Sequence, residues 1–406
     1  MRGERPAASP LGLSIIVALY MAHALPLYFY NVAVPAILRT QGVDLHWIGM
    51  LSVLYLPWAF KFLWAPYVDR WHWPRIGRRR TWLWLTQLLL LAGILALAAT
   101  GLDHGLAVFV AVGLWISTIA ATQDIAIDGY TVEALAPGEH RLGSMAQSVG
   151  VALGSLIGGA GVLWLYDTRG WGVALVSLAA MSALTLLAVQ GVVEQPHSTA
   201  QPRPSVLRAL GRPVMRWALL LIVLYRLVEA PAMAMINPLL VDAQWSLTEI
   251  GVLVSVAGAG AGMLAAVGAA WLLKRRSAEG LLLHAGLWRS SLYVLLGALL
   301  YSGVLAGASW GLGVLVVALL ALRYVAMTAL YALFMRVSSR EQAGTDFTLL
   351  VCFELLLFFI GGAASGFLAK ALGYGHYYFV LAAVSLLGLA LCRPVMAKLA
   401  TTSPSY

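Results

Sequence analysis

Two carboxylates four residues apart, Asp124 and Asp128, lie within a long apolar run from 106 to 135. At this spacing two side chains share one face of a helix, with their β-carbons about 5–6 Å apart. A charged side chain inside a membrane is costly and almost always faces the protein interior or a wet cavity. Two neighbouring carboxylates cannot both stay charged without a partner. The sequence therefore predicts that a proton, a basic side chain from another helix or a ligand neutralises the pair.

Lys61 is the first candidate partner for these acids. Counting about 1.5 Å per residue from the predicted cytoplasmic helix ends places Lys61 at a depth between Asp124 and Asp128. We expect the three side chains to form a coupling or gating cluster in the first half of the chain. An ion network that only holds two helices together is the alternative, and the sequence leaves both open.

The second half of the chain carries its own intramembrane charges. The same counting places Glu229 and Arg323 near the membrane midplane, and it gives Arg226 and Glu354 a shared depth. An arginine there can bind an anionic substrate through its fork of donors. An arginine–glutamate pair that only fixes helix packing is the alternative.

A polar stripe in the first apolar segment is the third candidate set. Its members are Tyr20, His23, Tyr30 and Asn31. Pro26 interrupts the same segment, and proline-broken transporter helices often flank binding sites. His23 can titrate near neutral pH, although a hydrogen-bonded packing histidine is an equal alternative. In the second half, Asn237 continues the face of Arg226.

Composition defines the class of protein. Apolar residues make up 61% of the 406-residue chain and charged residues only 11%, whereas soluble domains carry about 25% charged residues. The formal net charge of +9 comes from basic residues in short loops between apolar segments, where such residues indicate orientation rather than nucleic-acid binding. Both cysteines lie in apolar runs, so no disulfide or metal site is implied, and no cofactor is expected. The protein is predicted to be an all-α polytopic membrane protein.

The chain has room for twelve helices long enough to cross a hydrocarbon core of about 30 Å. The predicted spans are 11–38, 46–68, 80–101, 105–134, 143–166, 171–193, 215–241, 246–273, 280–304, 309–337, 344–369 and 373–396. Loop charges place both termini in the cytoplasm, because the opposite side holds only Arg39, Arg169 and Lys370.

A polar connector, 194–214, separates two predicted six-helix halves, 1–193 and 215–406. The pattern Leu-x-x-Ile-Gly-x-Leu occurs at 45–51 and again at 247–253, at corresponding places in the two halves. A repeat at the same topological position predicts pseudo-symmetric halves of the kind that transporters use.

Short motifs in both halves resemble a known family. The Asp-Arg and Gly-Arg-Arg-Arg sequences within 69–80 resemble the loop signature of the major facilitator superfamily. In 150–158 a small residue occurs at every fourth position, which allows helices to approach closely. Together with 56–70, 122–130 and 343–350, they resemble its AmpG-like branch, which includes muropeptide permeases and acetyl-CoA transporters. In length the chain is most similar to the rhizobactin/pyochelin-type siderophore permeases of bacterial inner membranes.

The resemblance implies a secondary transporter that imports a small anionic substrate by alternating access. The sequence holds no Gly-x-x-x-x-Gly-Lys-Ser/Thr loop for nucleotide phosphates. We expect a ferric siderophore of the pyochelin type, coupled to protons. An anhydro-muropeptide is the alternative, because the same arginines suit both anions. A prenyltransferase-like membrane enzyme and a receptor or scaffold without flux are more remote alternatives.

The predicted site therefore has two parts and no catalytic or metal-binding residues. The substrate-binding candidates are Tyr20, His23, Tyr30, Asn31, Arg226, Glu229, Asn237 and Arg323. The coupling or gating candidates are Lys61, Asp69, Arg70, Asp124, Asp128, Asp346 and Glu354. Asp69 and the start of the eleventh span are expected to form a cytoplasmic latch. We expect a monomer in the bacterial inner membrane, in contact with lipid and a small-molecule substrate and without a nucleic-acid partner.

Overall fold

A computed structural model describes residues 6–42, 51–101, 105–194, 203–303 and 310–402, which are helical apart from turns and short connections. The start of the predicted second span, including most of the Leu-x-x-Ile-Gly-x-Leu pattern at 45–51, lies outside the described residues. So do residues 195–202 of the predicted connector and the end positions 304 and 309 of two predicted spans.

The helical segments are numbered along the chain. They are α1 Pro10–Thr40, α2 Leu51–Leu63 with Ala65–Arg70, α3 Arg78–Thr100, α4 Leu106–Ala134, α5 and α6 within Pro137–Gln190, α7 Pro213–Asp242, α8 Glu249–Leu272, α9 Ala278–Tyr301, α10 Trp310–Val337, and α11 and α12 within Ala343–Thr402. A short helix, Val206–Gly211, precedes α7.

Two glycines divide the longest helical stretches. Gly170 has φ 80° and separates α5 (137–169) from α6 (171–190). Gly373 has φ 72° and separates α11 (343–372) from α12 (374–402). Positive φ is accessible to glycine at little cost. Gly170 falls between two predicted spans, and Gly373 is the first residue of the predicted span 373–396. Nine helices in the described ranges are long and apolar enough to cross a membrane; twelve crossings and the orientation of the termini remain predictions.

Prolines interrupt three of the helices that carry candidate side chains, because proline cannot donate the backbone hydrogen bond of its position. In α1 a π-helical turn, Phe29–Ala33, follows Pro26. In α2 the short 3₁₀ turn that begins at Lys61 lies between Pro57 and Pro66. In α7 a turn at 227–228 precedes Pro231, so Arg226 and Glu229 lie on either side of an interruption. The candidates next to these breaks are therefore positioned by irregular backbone, whereas Asp124, Asp128 and Arg323 lie on uninterrupted helices.

Close packing of α1 on α5 supports the first set of candidates. A β-carbon on Gly154 would lie 2.4 Å from the Ala24 β-carbon, and one on Gly158 would lie 2.2 Å from the Leu25 carbonyl oxygen. Only glycine allows this approach, so the predicted role of the small residues in helix packing is confirmed.

The described chain forms two compact units. The first comprises Met1–Val206 and Ser338–Cys352, and the second comprises Leu207–Val337 and Phe353–Tyr406. Each has an apolar core of its own: one includes Leu19, Ile125 and Val189, and the other includes Leu239, Val316 and Leu381. Ser338–Cys352 belongs to the first unit, where Thr345 bonds to Asp69. The division into two pseudo-symmetric halves, 1–193 and 215–406, stays a prediction.

Candidate functional site

Lys61 lies between the two acids of α4. Its ammonium group forms an ion pair with Asp124, and its Nζ lies 4.0 Å from Asp128 Oδ2. All three side chains are buried. Lys61 of α2 therefore contacts both acids of α4, as their i, i+4 spacing and its matching depth predict.

Two side chains of α1 complete this group. The Tyr20 hydroxyl donates a hydrogen bond of 2.8 Å to Asp128 Oδ1, and His23 Nε2 lies 3.1 Å from Asp124 Oδ1. Gln147 of α5 donates a longer bond, 3.4 Å, to the same Asp128 oxygen. Tyr20 and His23, predicted from sequence as substrate ligands, are thus held by the acids. We call Tyr20, His23, Lys61, Asp124 and Asp128 the Lys61 cluster.

The formal charges of the Lys61 cluster do not cancel. With His23 neutral, one lysine faces two aspartates, and the described part of the first unit supplies no second cation that bonds to either acid. Asp128 Oδ2 is buried and accepts no hydrogen bond from the described residues. A buried excess charge is strongly unfavourable, so a single proton on this cluster would remove the imbalance.

The second unit holds a larger group of charges on four helices. Arg226 of α7 pairs with Glu229 of the same helix and with Glu354 of α11. Arg323 Nε of α10 lies 3.1 Å from Glu229 Oε1, and Arg289 of α9 places an amino group 3.6 Å from Glu229 Oε2. We call these five residues the Arg226 cluster.

The Arg226 cluster has the opposite imbalance, because three arginines face two glutamates. Arg226, Glu229, Arg289 and Glu354 are buried, whereas the Arg323 side chain is 28% exposed. It lines a narrow cleft together with Glu229 and Arg289. Arg323 is therefore the cation of this cluster that an incoming anion can reach.

Apolar and aromatic groups form the rest of that cleft. Tyr225, Tyr293 and Met233 line it, and the Arg289 guanidinium lies 4.5 Å from the centre of the Tyr225 ring. Arg289 also donates to the Tyr225 carbonyl and to Ser385 Oγ, at 3.0 Å each. These bonds fix Arg289 to the wall of the cleft.

A third buried network contains Asp69 at the end of α2. Asp69 Oδ1 lies 2.6 Å from an amino group of Arg79, and Arg79 also pairs with Glu133 at the end of α4. Arg78 joins the same glutamate. Two arginines and two carboxylates thus pair with one another, and we call them the Asp69 network. Its formal charges are balanced, in contrast to those of the two clusters.

The start of α11 packs into the Asp69 network. Asp69 Oδ2 accepts hydrogen bonds from the Thr345 backbone N–H at 2.7 Å and from its hydroxyl at 2.6 Å. A β-carbon on Gly344 would lie 2.7 Å from Asp69 Oδ1, so glycine is needed there. The structure brings Asp69 and the start of α11 together, as the predicted latch requires; gating itself remains a prediction.

Two other predicted latch residues have different surroundings. Asp346 accepts hydrogen bonds of 2.8 Å from the backbone and the hydroxyl of Ser339, and one of 2.6 Å from Gln342. It therefore closes the turn between α10 and α11. Arg70 is exposed, and the arginine that pairs with Asp69 is Arg79.

The remaining substrate candidates are not gathered into either cluster. Tyr30 is buried and lines a separate cleft of the first unit. Asn31 and Asn237 are exposed and line neither of the two clefts. No group of three or more metal-binding side chains occurs in the described ranges.

Sequence reasoning omitted Glu133, Thr345 and Arg289 from the site. Glu133 lies at the end of an apolar run, where an acid is ordinarily solvated, and Thr345 has no signal beyond its neighbour Asp346. Arg289 was set aside because the ninth span is usually peripheral in facilitators, whereas the structure places it 3.6 Å from Glu229 of α7.

Comparison with known proteins identifies the family. A family model described as the Major Facilitator Superfamily matches residues 16–349. The chain belongs to the major facilitator superfamily. The anhydromuropeptide permease of Escherichia coli K12 is 29% identical to it, across 94% of this chain and 80% of the permease.

Solved structures of facilitator proteins share the fold. The proton:xylose symporter XylE has a TM-score of 0.70 at 13% identity, covering 93% of this chain and 94% of its own. The Escherichia coli fucose:proton symporter FucP has a TM-score of 0.69 at 13% identity, covering 95% of this chain and 98% of its own. The predicted facilitator fold and the AmpG-like resemblance are confirmed, and the protein is a multi-pass membrane transporter.

Removal of Lys61 tests whether the Lys61 cluster is held together by charge. Lys61→Met leaves two buried carboxylates without a cation, so we expect the free energy of unfolding to fall by about 3–5 kcal/mol. The double variant Lys61→Met/Asp124→Asn should recover most of this loss. Chemical unfolding of the purified protein in detergent measures both, with exposed Lys370→Met as control. Equal stability of Lys61→Met and Lys370→Met would contradict the role of Lys61.

Proposed function

We propose that this facilitator imports an anhydromuropeptide, with a proton as coupling ion, by alternating access across a bacterial inner membrane. The observation that carries the proposal is the likeness to the anhydromuropeptide permease of Escherichia coli, which extends over 94% of the chain. An anhydromuropeptide is an anhydro-sugar that bears a short peptide, and it therefore presents carboxylates and uncharged sugar hydroxyls. A substrate site must recognise both.

The Arg226 cluster supports recognition of the carboxylate. Arg226 is occupied by Glu229 and Glu354, and Arg289 is fixed by Tyr225 and Ser385, so Arg323 is the arginine with exposed surface. A carboxylate bound there supplies the negative charge that the cluster lacks. Arginine binds a carboxylate through two parallel hydrogen bonds, which adds directional specificity to charge attraction.

The Lys61 cluster supports the coupling ion. Its excess negative charge calls for one proton, and Asp128 has a buried oxygen without a hydrogen-bond partner in the described residues. We propose that Asp128 carries this proton while Asp124 stays paired with Lys61. When Asp128 releases the proton, the cluster again carries one buried negative charge in excess. The deprotonated state is therefore favoured only when water or a structural change stabilises that charge.

The siderophore predicted from the sequence is not supported by the relatives described above. Both candidate substrates are anionic, and the arginines of the second unit suit either. Iron-limited growth separates the two. A deletion strain is compared with the complemented strain. If deletion stops cell-wall recycling and leaves the use of pyochelin-type ferric siderophores unchanged, the muropeptide is supported. Loss of siderophore use with intact recycling supports the siderophore instead.

Uptake by membrane vesicles tests the proton role of Asp128. We expect radiolabelled anhydromuropeptide to accumulate in wild-type vesicles under an inward proton gradient, and a protonophore should abolish the accumulation. Asp128→Asn should lose accumulation and keep exchange of internal for external substrate, because exchange needs no net proton movement. Asp167→Asn, which changes an exposed acid, serves as control. Gradient-driven accumulation by Asp128→Asn at the wild-type level would refute the assignment.

Substitution of Arg323 tests the carboxylate site. Arg323→Gln removes a charged hydrogen bond, ordinarily about 1.5–3 kcal/mol, so the KM for uptake should rise on the order of tenfold to 100-fold. Arg323→Lys should fall between wild type and Arg323→Gln, because lysine keeps the charge and loses the two-pronged geometry. Arg39→Gln, at an exposed arginine, is the matched control. An unchanged KM in Arg323→Gln would exclude Arg323 from binding.

A further inference from the structure

A loop rich in aromatic residues, 71–77, joins α2 to α3. Because α3 begins at Arg78 and is long and apolar enough to cross a membrane, the residues just before it lie at the membrane surface. The aromatic residues of the loop and its flanks include Tyr67, Trp71, Trp73 and Trp82. Tryptophan and tyrosine at this depth place amphipathic rings at the level of the lipid headgroups.

These rings pack against one another and hold the loop in shape. The Trp71 ring is nearly parallel to that of Tyr67, with 6.2 Å between their centroids. It also lies edge-to-face against Trp73 at 5.1 Å and against Trp82 at 5.5 Å. The Trp82 indole N–H donates a hydrogen bond of 2.8 Å to the Trp71 carbonyl. A surface that is ordered before a ligand arrives loses less entropy on binding.

Two arginines next to these rings have no counter-ion. Arg70 and Arg75 are exposed, and neither side chain forms an ion pair or hydrogen bond with a described residue. Arg78 and Arg79, in contrast, pair with the carboxylates of the Asp69 network. Asp69 is the only acid between 51 and 101, and it is buried. The loop therefore presents two unpaired positive charges and no exposed acid of its own.

Glu194 is an acid from another part of the first unit that reaches this loop. Its Oε1 accepts a hydrogen bond of 2.6 Å from the Arg80 backbone N–H, so it caps the first turn of α3. Arg70, Arg75 and Arg80 against Glu194 leave a net formal charge of two positive, since the Asp69 network is balanced. The surface stays attractive to an anion.

An apolar stripe leads from the loop along α2. The stripe consists of four exposed residues three or four positions apart: Leu56, Phe60, Leu63 and Tyr67. Residues at this spacing share one face of a helix. Lys61 is buried against α4, so the stripe points away from α4. Arg70 follows Tyr67 by three positions and therefore continues the stripe at its polar end.

We propose that an anionic phospholipid binds the surface formed by Tyr67, Arg70, Trp71, Trp73 and Arg75. The two guanidinium groups pair with the charged headgroup, because the donors of arginine match phosphate oxygens. The rings lie at the level of the glycerol backbone, and an acyl chain follows the stripe on α2. Arg70, which does not pair within the Asp69 network, thus has a partner in the lipid.

The chemistry of the surface selects this class of lipid. Basic residues beside a membrane span attract anionic lipid. The ammonium group of a zwitterionic lipid would find no exposed acid between 51 and 101. A soluble anion would leave the apolar stripe uncovered, whereas a phospholipid satisfies both parts of the surface.

Native mass spectrometry of the purified full-length protein in neutral detergent tests the site. Phosphatidylglycerol and phosphatidylcholine with identical acyl chains are titrated, and the dissociation constant of the first bound lipid is measured. We expect wild type to prefer phosphatidylglycerol by about tenfold to 30-fold, since each arginine near the surface contributes about fivefold. Arg70→Gln/Arg75→Gln should lose this preference. Both side chains are exposed and unpaired in the described structure, so the fold should be retained.

Arg275→Gln/Arg276→Gln is the matched control, because it removes two exposed charges from the loop between α8 and α9. There Arg275 is already engaged, with its guanidinium 5.2 Å from the centre of the Trp271 ring. The control should keep the preference of wild type. The proposal is overturned if wild type binds both lipids equally, or if the two double variants lose the preference to the same extent, because attraction then follows net charge alone.

The same experiment excludes other occupants of the surface. Inorganic phosphate that displaces phosphatidylglycerol at an equal concentration would indicate a site for free anions and overturn the lipid assignment. A dimer that forms in wild type and is lost in Arg70→Gln/Arg75→Gln, without any lipid preference, would assign the surface to a second copy of the chain. None of these measurements uses a transported substrate, so the lipid site and the proposed function are tested separately.

Discussion

The cost of an unpaired charge in a membrane interior governs the arrangement of this protein's polar side chains. Charged residues there survive only with partners, and the ion pair of Lys61 with Asp124 shows how the fold supplies one. Lys61 reaches α4 from a 3₁₀ turn between two prolines. Tyr20 and His23 approach from α1, whose close packing on α5 depends on glycines. Irregular helices and small residues thus position this ion pair.

The three buried charge groups differ in balance, and this difference suggests a division of roles. The Asp69 network matches two arginines with two carboxylates, as expected for a connection that holds one arrangement. The Lys61 cluster has one negative charge in excess, and the Arg226 cluster has one positive charge in excess. A buried cluster can carry an excess formal charge if a mobile ion of opposite charge binds there and neutralises it. A proton suits the first cluster, and a substrate carboxylate suits the second.

Much of this arrangement could be predicted from the sequence. Two acids at i, i+4 in an apolar run had to share a helix face, and counting helix rise was enough to place Lys61 at their depth. The same count brought Glu229 and Arg323 together. Counting along single helices could not show which faces meet, so the contacts of Tyr20 and His23 with the acids were not foreseen, and their role in substrate binding stays a prediction. Glu133 was missed because an acid at a helix end has no intramembrane signature.

The substrate was the least predictable feature, for a chemical reason. An anionic siderophore and an anionic muropeptide place the same demand on Arg323, so the charged residues cannot distinguish them. Discrimination must come from uncharged contacts.

The central claim is that the Lys61 cluster holds one proton, carried by Asp128. Infrared spectroscopy of the purified protein measures this directly, because a protonated carboxylic acid has a carbonyl stretch that a carboxylate lacks. The account predicts such a band in wild type, its loss in Asp128→Asn, and no change in Glu354→Gln, whose acid belongs to the cluster with excess positive charge. Absence of the band in wild type, or its persistence in Asp128→Asn, would contradict the account.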